Sequence, residues 1–272
     1  MITLRSSDEL AKLERASQVV LETLDVLEAA VAPGVTTLDL DRIAEAEIRR
    51  RGATPAFLGY RGFPKTLCTS INEEVVHGIP GKRSLKEGDI IGVDCGAIFD
   101  GYYGDAARTL PVGRIAPDRQ QLLAITKQGL AAGIAAAAPG ARVSDIGAAI
   151  EIVAIAHGFG VVRDFVGHGV GTALHEEPQV PNYGPGGRGA QLKPGMVIAI
   201  EPMFNLGRGE VQVDSDGWTV RTRDGSASAH FEYTVAIGRE SAVILGTGQI
   251  AEVFGSRAAS ASVESRASAA GP

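Results

Sequence analysis

At 272 residues, with 44% apolar and 21% charged residues, the chain carries enough apolar material to build a sizeable core. A net charge of −6 argues against nucleic acid as the principal ligand, and no apolar run approaches the roughly 18 residues of a membrane span. No signal-peptide pattern opens the chain, and Cys68 and Cys95, its only cysteines, lie outside any CxxC pattern, which fits a reducing, cytoplasmic compartment.

In chain order, Ser6-x-x-Glu9 has the form of a capping box. Leu10, Leu13, Val20, Leu24, Leu27 and Val31 then follow at helical spacing until Pro33-Gly34. Thr37 is placed to cap a second helix bearing Leu40, Ile43, Ala44 and Ile48 and stopped by Gly52. Further helices are predicted near 118–137 and 144–157. Strands are predicted over 64–70, 74–77, 89–95, 102–110, 161–167, 196–203, 209–213, 217–222 and 229–238. From residue 256 onward, 11 of 17 residues are Ala or Ser, a composition that cannot bury much surface. The expected division is therefore one catalytic domain over 1–250 and a disordered tail over 251–272.

The helix and strand units are written twice. Leu85-Lys86-Glu87-Gly88-Asp89-Ile90-Ile91-Gly92-Val93-Asp94 matches Leu192-Lys193-Pro194-Gly195-Met196-Val197-Ile198-Ala199-Ile200-Glu201, 107 residues later. Upstream, Pro33-Gly34, Asp39-Leu40 and Gly52 recur as Pro139-Gly140, Asp145-Ile146 and Gly158, at an offset of 106. Such a duplication predicts an α+β fold with a pseudo-two-fold axis and helices over one sheet face. The axis would bring Asp94 and Glu201 toward a common centre, where facing carboxylates require a cation between them.

Asp94 and Asp105 flank a predicted hairpin with Asp100-Gly101 at its turn. With that turn both acids face one side of the sheet, diagonally, roughly 7–8 Å apart. The separation suits carboxylates that bracket a pair of cations; the alternative is two solvated acids. His168 lies between glycines in Gly167-His168-Gly169-Val170-Gly171, where backbone and ligand can approach closely. His175 precedes an extended X-Pro segment, Glu176-Glu177-Pro178. In Phe231-Glu232-Tyr233-Thr234-Val235, strand alternation turns Glu232 away from its apolar neighbours. Four carboxylates and one imidazole meeting in space carry a charge near −4. Two divalent cations balance that charge, and oxygen-rich ligation with one nitrogen suits Mn, Fe, Co or Zn.

With these residues assembled, the chain resembles the type I methionine aminopeptidases over about residues 5 to 248. The motifs are Leu58-Gly59-Tyr60 with Pro64-Lys65, Ser70-Ile71-Asn72-Glu73 with His77-Gly78-Ile79-Pro80, and Val93-Asp94-Cys95-Gly96. Gly104-Asp105-Ala106-Ala107-Arg108-Thr109, the two histidine segments, Ile200-Glu201-Pro202 and Trp218-Thr219 complete the series in order.

The resemblance implies the pita-bread fold, two pseudo-symmetric halves forming a curved, mainly antiparallel sheet with helices on its outer face. It implies that Asp94 holds one metal, His168 and Glu201 the other, and that Asp105 and Glu232 bridge both. It implies removal of the initiator methionine before a small second residue, by hydroxide attack on the first peptide carbonyl. His175 would stabilise the oxyanion, His77 would hold the scissile nitrogen, and Glu201 would pass the proton to the departing amine. Phe57, Tyr60, Phe63, Cys68, His77, Leu174, His175 and Trp218 would form the substrate pocket. Nascent polypeptides are the implied partner, with ribosome contact and a monomeric state as further expectations.

The chain departs from the family pattern at Phe57, Phe63, Leu174 and Tyr233, positions that bear on pocket shape rather than on the metal set. A Xaa-Pro aminopeptidase of the same fold is the alternative enzyme, although those relatives usually carry a large preceding domain. A non-catalytic binding protein is the alternative outside enzymes, although such relatives tend to lose ligands that are all filled here.

Overall fold

Helix α1 (Ser7–Ala30) begins at the predicted capping box. Ser6 Oγ accepts from the Glu9 N–H at 3.3 Å, and the Glu9 carboxylate accepts from the Ser6 N–H at 2.9 Å. Helix α2 (Thr37–Arg50) differs from expectation at its cap, which is Thr36 rather than Thr37. Thr36 Oγ1 accepts from the Asp39 N–H at 3.1 Å. The Thr37 hydroxyl instead accepts from the Gly81 N–H at 2.8 Å and donates to the Gly81 carbonyl at 3.1 Å. The computed structural model describes residues 1–250, so the tail expected over 251–272 lies outside the described residues.

The first half continues with β1 (Thr54–Pro55), β2 (Leu67–Ile71), β3 (Glu74–Val76) and the long hairpin β4 (Ile90–Phe99) and β5 (Tyr102–Pro111). Asp100 and Gly101 turn this hairpin with φ of 49° and 80°, the positive pair that a two-residue turn of the right twist demands. Helices α3 (Pro117–Ala136) and α4 (Val143–Ala156) open the second half, each one residue earlier than predicted. There follow β6 (Gly160–Val161), β7 (Gly167–Gly169), β8 (Glu176–Val180), β9 (Val197–Ile200) and β10 (Met203–Asn205). The last strands are β11 (Val211–Val213), β12 (Val220–Thr222), β13 (Ser228–His230), β14 (Glu232–Ile237) and β15 (Ala242–Ile244).

The main sheet runs β1-β4-β5-β14-β9-β7-β8, with β2 also on β4 and β15 also on β14. Its pairings are antiparallel. The pair β4-β5 is answered by β9-β14, and the pseudo-two-fold passes between β5 and β14, as the repeat predicts. Helices cover one face of the sheet. Leu24, Leu27, Leu40 and Ile48 pack on Ile91, Val93 and Cys95 in the first half. Leu122, Leu130, Ile146 and Ile150 pack on Ile198, Ile200 and Val235 in the second. Strand alternation then leaves Asp94 and Asp105 on the opposite face.

Three predicted strands are each broken in two. The stretch 161–167 becomes β6 and β7, 196–203 becomes β9 and β10, and 229–238 becomes β13 and β14. In each case the pieces serve different sheets: β6, β10 and β13 form a small sheet, whereas β7, β9 and β14 belong to the large one. Pro202, which has no N–H to continue a ladder, sits at one break. Strand 64–70 starts only at Leu67, and the strands at 54–55, 176–180 and 242–244 carry no strong alternation and are not predicted.

Gly104 shows how closely α1 lies on the sheet. A Cβ there would stand 2.5 Å from the Ser17 nitrogen and 2.6 Å from the Ala16 carbonyl carbon, both main-chain atoms of α1. Gly104→Ala is expected to destabilise the protein by about 1–3 kcal/mol through overpacking. The measurement is the urea midpoint; a midpoint equal to that of the parent chain refutes the close contact.

Candidate active site and metal centre

The acids are set by main-chain register rather than by their own hydrogen bonds. Asp94 lies opposite Ala107 and Asp105 opposite Gly96, so the two stand diagonally on one face as the hairpin turn predicts. Glu232 lies opposite Ala107 across the pseudo-axis. Thr234 Oγ1 donates to the Asp105 carbonyl at 2.7 Å and accepts its N–H at 3.2 Å, locking β5 to β14 beside both acids. Glu201 follows β9 at the break before Pro202.

Asp94, Asp105, His168, Glu201 and Glu232 all line one cavity, although Asp94 belongs to neither of the two close donor groups. Asp105, His168 and Glu232 present donor atoms within 4.8 Å of one another, and Glu201, His230 and Glu232 form a second such group. His168 Nε2 is 3.5 Å from Glu201 and 3.9 Å from Asp105. Its Nδ1–H donates to the Gly169 carbonyl at 3.0 Å, which leaves the Nε2 lone pair facing the carboxylates.

Burial dominates the electrostatics. It raises Asp94 to about 7, against 3.8 for an ordinary aspartate. Burial and the neighbouring acids push Asp105, Glu201 and Glu232 well above the usual carboxylate range. Burial lowers His168 and His77 to about 4 and His230 to about 3, and it lowers His175 as well. Asp94 Oδ1, Asp105 Oδ1 and Glu232 Oε1 are buried and accept no hydrogen bond. Orphaned carboxylate oxygens in an apolar setting are costly unless cations bind them. The donor set, oxygen-rich with imidazole nitrogen, fits two divalent ions.

Beside the acids opens a cavity of roughly 310 Å³. Phe57, Tyr60, Phe63, Cys68, His77, Leu174, His175 and Trp218, all proposed from the sequence, line it. Phe57 lies against Gly96, where a Cβ would approach its ring to 2.6 Å. Asp216 fixes Trp218 by accepting its N–H at 2.8 Å, and the Trp218 ring meets Phe63 edge-on at 5.1 Å. His77 adopts φ 61°, a sparsely populated region for a non-glycine residue, and packs edge-on to Phe165 at 5.5 Å.

His175 is held from both sides. The Tyr60 hydroxyl is 2.8 Å from its Nδ1, and its ring centre lies 4.2 Å from that of His168. With the phenol as donor, the proton of the neutral ring sits on Nε2. The adjacent Glu176 accepts the N–H groups of Thr172 and Ala173 at 2.8 and 3.1 Å and pairs with the buried Arg5 guanidinium.

Asp164, Phe165 and His230 also line the cavity and were not proposed from the sequence. Asp164 and Phe165 lie in the irregular segment between β6 and β7, where a continuous strand is predicted instead. His230 precedes Glu232 by two residues, the spacing that shares a strand face, and that spacing is the signal that could have found it.

The pattern of metallopeptidase family M24 matches residues 11–239. This chain belongs to metallopeptidase family M24. Among M24 relatives, the methionine aminopeptidase of Clostridium acetobutylicum is 52% identical over 238 residues, covering 87% of this chain and 95% of that protein. Methionine aminopeptidase 1 of Bacillus subtilis is 50% identical over 237 residues, covering 87% and 96%. The crystal structure of the Rickettsia prowazekii methionine aminopeptidase superposes with a TM-score of 0.89 at 42% identity, covering 90% of this chain and all of that one. These similarities place the chain in the type I methionine aminopeptidase branch of M24 and bear out the pita-bread architecture. A prolidase from Pyrococcus furiosus, at 22% identity and a TM-score of 0.70, shares the fold alone.

The titration directions set a sign for the metal-stripped M24 centre. Raised carboxylates keep protons in the folded state that the unfolded chain has released, so their contribution to stability is lost as pH rises toward their folded pKa values. Lowered histidines act oppositely, and their cost disappears as pH rises to the unfolded value of 6.5. The two effects offset below about pH 6.5, and only the carboxylates remain above it. Stripped protein should therefore melt at lower temperature as pH goes from about 6.5 to about 8.5, and Mn(II)-loaded protein should not. Calorimetry on both forms checks this, and a melting temperature that climbs in the stripped form refutes it.

Proposed function

We propose that this chain removes the N-terminal methionine from nascent proteins and peptides, preferring a small second residue. One observation supports the reading above others: the buried acids and His168 line the same cavity as the apolar side chains of Phe57, Phe63, Cys68, Leu174 and Trp218. Asp94, Asp105, His168, Glu201 and Glu232, which line one cavity, would hold two divalent ions. When bound, such ions would lower the pKa of a coordinated water toward neutrality and so supply hydroxide near pH 7.

The methionine side chain enters among Phe57, Phe63, Cys68, Leu174 and Trp218, where a thioether packs well on aromatic edges and sulfur. His175 donates from Nε2 to the carbonyl oxygen as negative charge develops on it. Its lowered pKa keeps the ring neutral, and Tyr60 fixes the tautomer. His77, also neutral, meets the scissile amide nitrogen, and Glu201 would take the proton given up by the attacking water and hand it to that nitrogen as the C–N bond breaks. Residues 1–250 act as one catalytic domain. Among the described residues no helix is long and apolar enough to cross a membrane. The two buried free thiols fit a reducing compartment, the cytoplasm, where nascent chains are met.

Stripped protein titrated with Mn, Fe, Co or Zn should cleave Met-Ala-Ser and leave Ala-Pro peptides largely intact. Faster turnover of the proline peptide with every metal sinks the assignment in favour of a Xaa-Pro peptidase. His175→Ala should keep both ions by elemental analysis while kcat falls roughly 10²–10³-fold, the usual loss for one oxyanion donor. An unchanged kcat would remove His175 from the mechanism.

A further inference from the structure

His230 has no part in the reaction just described, yet its environment is that of a ligand. It ends β13, immediately before the chain crosses to β14. Its main chain is pinned by one residue of the central hairpin: its N–H donates to Thr109 Oγ1 at 2.8 Å, and its carbonyl accepts from the same hydroxyl at 2.9 Å. The ring is therefore aimed by the backbone rather than by a hydrogen bond of its own.

The residue is 3% exposed, and Nε2 is buried with no hydrogen-bond partner. That nitrogen stands 3.8 Å from Glu201 Oε2 and 3.8 Å from Glu232 Oε2. Such separations are too long for hydrogen bonds. They are ordinary for two donors on one ion: legs of about 2.1 Å subtend 3.8 Å at an angle of about 130°. His168, whose ring also faces the acids, shows the same span, 3.5 and 3.9 Å to its carboxylates.

We propose that His230 is a sixth protein donor of the metal centre, adding a second imidazole nitrogen between Glu201 and Glu232. A second neutral nitrogen leaves the cluster charge unchanged. It moves the donor set toward ions that favour imidazole, such as Fe, Co and Zn, and away from Mn. The assignment concerns ligation alone and does not depend on which peptide is cleaved.

The test counts imidazoles on the metal. Protein carrying ¹⁵N-histidine is loaded with Co(II), and its exchangeable, hyperfine-shifted imidazole N–H resonances are recorded. Two are expected. His230→Ala should lose one and His168→Ala the other, and Co(II) affinity should fall at least about tenfold in His230→Ala. A single resonance in the parent protein overturns the proposal, and so do two resonances that both survive in His230→Ala. Should either variant fail to fold, the count in the parent protein still separates one ligated histidine from two.

Discussion

Mutual repulsion among four buried carboxylates is the constraint around which this structure is built. Asp94, Asp105, Glu201 and Glu232 crowd one wall of a cavity, and each is pushed toward its protonated form by burial and, for all but Asp94, by its neighbours. In the metal-free chain nothing about the acids themselves favours this arrangement. They are held by what lies behind them: antiparallel ladders that fix each Cα, and helices whose apolar faces press the ladders together from the other side. The apolar core thus stabilises a site that is destabilising alone, and cation binding releases that stored cost as affinity.

The broken strands follow from the same constraint. A strand running unbroken through Glu201 or Glu232 would give those acids only the two faces of one sheet. By leaving the large sheet at Pro202 and at Phe231, the chain forms a corner, with β10 and β13 in a second sheet. Glu201 and Glu232 sit on that corner, and His230 closes it from the small-sheet side. Thr109, on the hairpin that carries Asp105, is bonded to the main chain of His230 and so couples the corner to the pseudo-axis.

What the sequence makes legible is whatever is periodic or repeated. The duplicated phrase ending on Asp94 and Glu201 points to the pseudo-symmetry, and a two-residue turn at Asp100-Gly101 sets the register that faces Asp94 and Asp105 alike. The corner is not legible in that way. Two- and three-residue strands such as β6, β10 and β13 carry too few residues to alternate, and their partners lie far away in the chain. Thr36 and Thr37 are both chemically able to cap α2, and only the contact with Gly81 decides between them.

The part of the cavity lined by Tyr60 and His175 depends on contacts between halves that no local pattern encodes. Tyr60 comes from the first half and His175 from the second, and their hydrogen bond joins the two halves at the cavity. The His175 loop is fixed in turn by Glu176, whose carboxylate caps two of that loop's N–H groups and pairs with Arg5, just before α1. Arg5 is itself anchored through its N–H to the Gly195 carbonyl, in the turn that opens the second repeated phrase. A residue preceding the first helix therefore links the strand that ends on Glu201 to the loop that presents His175. Placing His175 and the acids on one connected frame keeps their separation fixed, as the proposed stabilisation of a developing oxyanion by His175 requires.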